Sequence, residues 1–503
     1  MHNRYVMPGG LVIRMLATIF AFFSFFSSFG CGDFDCTDFI PADSLKKANK
    51  HTNRKDTIPH GRLLTVNRIF ITGNRITRDK IILRELSLKP GDVVYSEDIP
   101  AILERDKKKL LNTRLFNTVE IRTLELEPLK VDLIVDLNER WYTFPAPLFE
   151  LADRNFNEWW QNYDHDFKRI NYGLRMYQYN MRGRNETLRL HTQFGFQRRF
   201  ELMYRFPYID QKQKQGLTFD FTFSETKNLA YRTFDHKYEF LNEEDILRDN
   251  TFGGVTYSYR NSFYQTHSFR VEYFSTDVRD TVGDLNPIYL KGARHQEYTS
   301  ASYSFNSDHR DLVAYPLKGH QFTFLLTKNG LMASDDLQKI EGTISYSRYL
   351  DLKNNFYLSN NTVGYASYPK DISYINFGVL GLRKQFVRGY ELYVIEGPNW
   401  FLNKTTFKKL IFSRTYHWGA MPLDQFRHVP LAIYLKTYAD FGYVKNYPDY
   451  EHLNINNRLT DKLLSGVGIG VDVVGSYDMV LRFEYSFNSE SENGFFFHLK
   501  REF

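Results

Sequence analysis

The residues that most often carry chemistry are scattered along this chain. His191, His236, His267, His309, His417 and His428 show no metal-ligand spacing, and there is no G-x-S-x-G elbow, P-loop, H-E-x-x-H or C-x-x-C motif. Cys31 and Cys36 suffice for a disulfide in an exported protein but not for a metal site. Asp308-His309-Arg310-Asp311 sets acids beside a base, yet at a turn between strands it reads as a hydrogen-bonding corner. The expectation is a chain with no catalytic residue, no cofactor and no metal. Its function must then be sought in its architecture.

Composition narrows that architecture. Aromatic residues make up 17% of the 503, with 35 Tyr and 44 Phe, while a quarter of the chain is charged and the mean hydropathy is −0.46. After residue 30 no run approaches the roughly 18 apolar residues that a membrane helix needs. Many aromatics without continuous hydrophobicity suit a transmembrane β-barrel, where lipid-facing and lumen-facing side chains alternate and aromatic girdles mark both interfaces. A soluble all-β protein has the same period, because alternation does not distinguish lipid from a buried core. The net charge of +6 is small for this length and implies no nucleic-acid surface.

Residues 1–30 have the form of an export signal, with Arg4 and Arg14 ahead of an apolar core from Met15 to Phe29. Cys31 after Gly30 also suggests lipoprotein cleavage, although Phe29 is bulky where that motif prefers a small residue. Residues 31–63 are polar and aperiodic and read as a linker. Residues 64–140 read as a small β-α-α-β-β domain with two helices on one face of its sheet. Its first strand ends at Gly73-Asn74. Thr77 is the expected cap of the first helix and Ser96 or Asp98 that of the second, whose apolar stripe is Ile99, Ile102, Leu103 and Leu110, with Lys107 to Lys109 on its solvated side. Two strands, Asn117–Glu125 and Val131–Leu137, follow.

From residue 141 to 503 the helical period vanishes. Leu217, Phe219, Phe221 and Phe223 alternate with Thr218, Asp220, Thr222 and Ser224. Val467, Ile469, Val471 and Val473 alternate with Gly466, Gly468, Gly470 and Asp472. Phe495, Phe497, Leu499 and the terminal Phe503 share one face. About 360 residues, at some 20–25 per strand and connection, predict an antiparallel transmembrane barrel of about 16 strands.

Several motifs together resemble the outer-membrane assembly factor superfamily, the BamA/TamA type, with one polypeptide-transport-associated (POTRA) domain and a surface-antigen D15-like barrel. In the amino-terminal module they are Gly73-Asn74, Leu88-x-x-Gly91-Asp92, Leu115-Phe116-x-x-Val119 and Val135-x-x-x-Glu139. In the barrel they are Asp308-x-Arg310-Asp311 with Pro316-Leu317-x-Gly319, Phe386-Val387-Arg388-Gly389-Tyr390, Tyr438-Ala439-Asp440-Phe441-Gly442, and Ser465 to Gly470 followed by Leu481 to Tyr485. The resemblance spans about residue 64 to 503. It implies a bacterial outer-membrane location with the POTRA domain periplasmic, and an aromatic carboxy-terminal insertion signal at Phe497, Leu499 and Phe503. Some relatives carry a fused patatin-type lipase; the missing nucleophile elbow argues against one here.

The resemblance also implies that Arg388, Gly389 and Tyr390 lie at the tip of a long sixth extracellular loop. An arginine folded into the lumen needs a carboxylate. Asp440 is the natural partner, because Leu431, Ile433 and Leu435 face lipid and leave Lys436, Tyr438 and Asp440 inside. The family pattern implies the same contact and a second carboxylate on the intervening strand, where this chain has Thr406; Glu391 is a candidate replacement. Such proteins accept unfolded or nascent outer-membrane or secreted clients. The exposed edge is expected on Asn117, Val119, Ile121 and Thr123, where an extended client can add as a strand. A seam between a first strand within 141–150 or 168–180 and Phe495–Phe503 is the expected lateral gate. The partners implied are outer-membrane lipids, protein clients and accessory envelope proteins. The alternative is a passive or structural outer-membrane barrel, a pore without assembly activity.

Overall fold

A computed structural model describes residues 61–151, 167, 170–382, 384–417, 419, 425 and 427–500. The expected signal peptide, both cysteines, most of the linker and Phe503 lie outside the described residues.

The amino-terminal module runs β1 (Leu63–Thr72), α1 (Asp79–Leu83), β2 (Val93–Tyr95), α2 (Ile99–Asn112), β3 (Phe116–Glu127) and β4 (Lys130–Glu139). The sheet order is β2-β1-β4-β3, with β1 parallel to β4 and the other pairs antiparallel. The short β2 is an addition to the β-α-α-β-β order, formed where the chain leaves the Lys89 to Asp92 turn alongside β1. Alternate residues of β1, β3 and β4, among them Val66, Val119, Val131, Leu133 and Val135, pack against Ile82, Ile99 and Leu110 of the helices. At roughly 25 cal/mol per Å² of apolar area, this burial is what orders so small a unit.

The expected caps are not used. Neither helix has a side-chain cap: Arg78 and Asp98 occupy the N-cap positions, and the Thr77 hydroxyl is instead engaged with Tyr142 and Asn180. Lys109 also departs from its expected solvated role, since it pairs with Asp106 at 2.9 Å and lies over the Phe263 ring.

The remainder forms one sheet of 16 antiparallel strands. The first five are β5 (Thr143–Leu151), β6 (Ile170–Met181), β7 (Glu186–Gly195), β8 (Arg199–Phe206) and β9 (Gln215–Thr226). A separate hairpin, β10 (Asn228–Phe234) and β11 (Lys237–Asn242), precedes β12 (Arg248–Arg260), β13 (Gln265–Val278) and β14 (His295–Asp308). Then come β15 (Gly319–Asn329), β16 (Lys339–Asp351) and β17 (Phe356–Tyr368), a two-residue pair β18 (Val379–Leu380) and β19 (Ile395–Glu396), and β20 (Asn399–His417). The sheet ends with β21 (His428–Lys445), β22 (Leu463–Val474), β23 (Val480–Asn488) and β24 (Asn493–Lys500). Each strand of the sheet pairs with its neighbours in the chain, with the two small hairpins set aside in loops, so local connections suffice to define the register.

Alternation has the predicted sense. Phe219, Phe221, Phe269, Val271 and Ile469 are exposed on the outer face. Inside, Arg270 makes paired contacts of 2.6 Å to both oxygens of Asp220, and Asp472 and Glu484 are buried. No helix among the described residues is long and apolar enough to cross a membrane. The backbone groups of the inner strands of the sheet are satisfied by their neighbours, which is what a strand in hydrocarbon requires.

The module meets the barrel end formed by the turns after β6, β8, β12, β14, β20 and β22. Glu85 accepts two hydrogen bonds from Arg260, at 2.7 and 3.0 Å, and the Arg84 guanidinium lies 3.8 Å from the Tyr208 ring centre. Asn112 bridges the Asp311 carbonyl and the Val313 amide, each at 3.1 Å. Arg78 donates its amide to the Gly183 carbonyl, Asn117 donates to the Gln425 carbonyl at 2.8 Å, and Arg140 pairs with Asp478 at 3.0 Å. These contacts lay the module across the barrel mouth.

Candidate functional site: a loop seated in the barrel

The segment between β17 and β20 enters the barrel and presents Arg388 to the inner faces of β20 to β23. Gly389 has φ +96°, a conformation that side chains beyond glycine rarely adopt, and this turns the tip. Gly466 on β22 is the second required glycine: a Cβ there would stand 1.8 Å from the Arg388 carbonyl oxygen. The glycine run of β22 therefore gives the loop a place to sit.

Arg388 and Asp440 are brought together as expected. Asp440 accepts from Arg388 Nε at 2.8 Å, from Nη2 at 2.6 Å and from the Arg388 amide at 3.1 Å. Two parallel charge-assisted bonds fix the plane of the guanidinium as well as its position. Its face rests 3.8 Å from the centre of the Tyr438 ring. Thr406 does take part: its hydroxyl accepts from Nη2 at 3.0 Å.

The second carboxylate comes from a different strand. Glu484 on β23 lies 3.5 Å from Arg388 Nη1 and 2.8 Å from Lys436. Lys436 also pairs with Asp472, which accepts from the Tyr315 hydroxyl at 2.9 Å. The chain of contacts thus runs from the seated loop to the 309–318 turn, whose Asp311 carbonyl receives Asn112 of the module. Glu391 does not supply the missing charge to Arg388; it accepts from the Gly389 amide at 2.7 Å and so holds the turn. Sequence reasoning missed Glu484, although its inward phase follows from the alternation of β23.

Tyr390 is fully buried, with its hydroxyl 2.7 Å from that of Ser489, and Asn488 donates to the Gly389 carbonyl at 2.8 Å. Phe386 stacks on His498 of β24. The loop tip therefore braces strands up to the last described one. Among the described residues no ladder joins β24 to β5, so these two are the sheet's edges. Phe497 lies on the outer face of β24, 53% exposed; Leu499 lies in the same strand.

In the module, β3 occupies the sheet edge. Val119 and Ile121 turn inward to the module core, Thr123 is exposed, and the Asn117 side chain is already engaged by Gln425. What β3 offers along its free side is backbone. In its second half Leu124 and Leu126 are exposed, as is Leu129 in the β3–β4 turn.

At the end opposite the module, loops pack around Tyr289, Tyr374, Phe377, Tyr447 and Tyr450. Glu396 is buried there, accepting hydrogen bonds from Tyr450 at 2.5 Å and Thr233 at 2.9 Å. Burial pushes its carboxyl up to about 7, against these hydrogen bonds, which favour the ionised form. His236, in the β10–β11 turn, accepts from the Leu459 amide at 2.9 Å; burial, aided by the nearby Arg458 charge, lowers it to about 4.

Both parts of the chain are similar to known proteins. Residues 64–140 match the family described as POTRA, surface antigen variable number repeat, and residues 180–503 match the Omp85 superfamily domain. CdiB from Escherichia coli has 12% identity and a TM-score of 0.54, with 88% of this chain and 76% of that one covered. The structure of BamA from Haemophilus ducreyi lacking POTRA domains 1-3 has 14% identity and a TM-score of 0.49, with 86% and 84% covered. The CdiB likeness is one of fold. No curated protein sequence matches the chain.

Proposed function

The chain belongs to the Omp85 superfamily, and from that membership we propose that it is an outer-membrane insertion or secretion factor whose module is periplasmic and receives unfolded or nascent protein clients. The observation that carries this reading is the pair of sheet edges, β5 and β24, between which the described residues form no ladder. An unpaired edge in hydrocarbon is costly, and a client strand that pairs with it relieves the cost. The module supplies a matching edge in β3, where backbone pairing is tolerant of client sequence. The expected periplasmic side of the barrel is then the end at which the module docks.

A passive pore is the other reading. The loop seated on β20 to β23 weighs against it, because the Arg388 contacts occupy space that an open channel leaves to water. Depletion of the protein tests the choice. An insertion or secretion factor leaves specific outer-membrane or secreted proteins depleted, whereas an unchanged outer-membrane proteome and secretome contradict the proposal.

A further inference from the structure

The two edges of the sheet differ in what their backbones offer. In an antiparallel ladder, residues whose N–H and C=O face one neighbour alternate with residues whose groups face the other side. The Tyr179 amide donates to the Tyr142 carbonyl at 2.8 Å, in register with the pairs from Thr143 and Gln178 to Leu151 and Ile170. That phase turns the backbone of Phe144, Ala146 and Leu148 toward β6. The backbone of Thr143, Pro145, Pro147, Phe149 and Leu151 then faces the open edge, so both prolines of β5 stand on the open side. At the other edge the Asn488 amide donates to the Glu492 carbonyl at 3.0 Å, in register with the pairs from Phe487 and Asn493 to Val480 and Lys500. Gly494, Phe496 and His498 therefore face β23. Asn493, Phe495, Phe497 and Leu499 turn their N–H and C=O groups to the open edge.

Proline has no N–H, and its ring occupies the place from which one would donate. A strand approaching β5 meets two successive missing donors at Pro145 and Pro147, and the Thr143 carbonyl is already engaged by the Trp141 indole. In hydrocarbon the carbonyls of an incoming strand opposite the prolines have no water to turn to, which makes such a ladder costly. β24 carries none of the devices that guard an edge. It has no proline, its ladder with β23 runs without a bulge, and none of its four edge-facing residues is charged. Phe495 and Phe497 are exposed on its outer face.

We propose that the seam accepts strands on one side only: an extended client strand with alternating apolar residues adds to β24 along Asn493, Phe495, Phe497 and Leu499, while Pro145 and Pro147 close β5 to it. The chemistry of the edge selects this occupant. An N–H and a C=O at every second residue match the backbone of an antiparallel strand. Phe495 and Phe497 offer that strand apolar neighbours on its own lipid-facing side. The same prolines deny β24 a complete ladder with β5, which keeps the accepting edge available. The inference rests on the reading of the chain as a client-handling factor and adds which edge does the handling.

The test places the full-length protein in phospholipid vesicles, adds a urea-unfolded outer-membrane barrel protein, and photocrosslinks from p-benzoylphenylalanine at Phe495 or at Phe149. Client adducts from Phe495 should exceed those from Phe149 at least tenfold. Phe497→Pro removes one edge donor without touching the ladder to β23 and should lower the Phe495 adducts at least tenfold, whereas Phe497→Leu should keep them. Pro145→Val with Pro147→Val restores both donors and should raise the Phe149 adducts at least tenfold. Heat-modifiable migration reports that each variant is folded. Equal capture at the two positions of the unsubstituted chain, Phe495 adducts that survive Phe497→Pro, or a Phe149 signal unmoved by the double substitution overturns the one-sided seam and leaves client handling standing. Capture at neither position overturns both.

Discussion

Arg388 and Asp440 stand 52 residues apart in the chain and meet through hydrogen bonds of 2.8 Å from Nε and 2.6 Å from Nη2, with Asp440 wholly buried. The contact joins a loop to the wall of the barrel it enters. Removing one partner leaves the other charge buried, a change that costs about 3–5 kcal/mol when the pair is desolvated. Arg388→Ala and Asp440→Ala should each lower the temperature at which the barrel loses its heat-modifiable form. Arg388→Lys should rescue little, because an ammonium does not reproduce the two-pronged contact. Near-wild-type melting of Arg388→Ala would show that other contacts seat the loop.

Much of this contact was legible in the sequence. The phase of Leu431, Ile433 and Leu435 places Asp440 inside and Gly389 marks the turn, while the entry of Arg388 into the lumen was implied by the family resemblance alone. Glu484 was not assigned because four strands meet at the arginine, and alternation reports the face of a residue but not its distance from a loop. The module was readable at the level of its elements, since Val119, Val131 and Val135 alternate cleanly. The docking of the module was not readable: Glu85 and Arg260 are 175 residues apart and neither lies in a motif. The cap of α1 was misread for a related reason, because Thr77 has a tertiary partner in Tyr142 that outcompetes a local one.

The Glu85–Arg260 pair makes the next prediction. Arg260→Ala leaves Glu85, whose side chain is 3% exposed, without its two-pronged partner and, among the described residues, with Arg84 at 3.9 Å as its remaining cation. Hydrogen exchange in α1 should accelerate by about tenfold, equivalent to about 1.4 kcal/mol of local stability. The swap Glu85→Arg with Arg260→Glu should recover part of the protection. Unchanged exchange would mean that the remaining contacts hold the module alone.

The loops opposite the module should respond to pH in two directions. Glu396 is raised to about 7, so its contribution is complete below the usual carboxylate range and is lost as pH rises through about 7. His236 is lowered to about 4, so its contribution is complete above the ordinary histidine range and is lost as pH falls through about 4. Hydrogen exchange of the 446–462 segment, normalised to the intrinsic exchange rate at each pH, should therefore rise on both sides. Glu396→Gln should abolish the alkaline rise alone and His236→Asn the acid rise alone. A profile flat from pH 4 to 8 would contradict both assignments.

Client contact at β3 can be read directly. Photocrosslinking from Thr123 should capture proteins in transit, whereas the same group at Lys107, on α2 and off the sheet edge, should not. Equal capture from both positions would rule out strand addition at β3 as the source of the signal.

The most direct measurement reconstitutes the protein in vesicles and follows an unfolded outer-membrane barrel added from outside. An insertion or secretion factor speeds its entry into or passage across the membrane by at least tenfold over empty vesicles, and Arg388→Ala diminishes the effect. Entry no faster than in empty vesicles, together with a large steady conductance indifferent to Arg388→Ala, would contradict it and identify a pore.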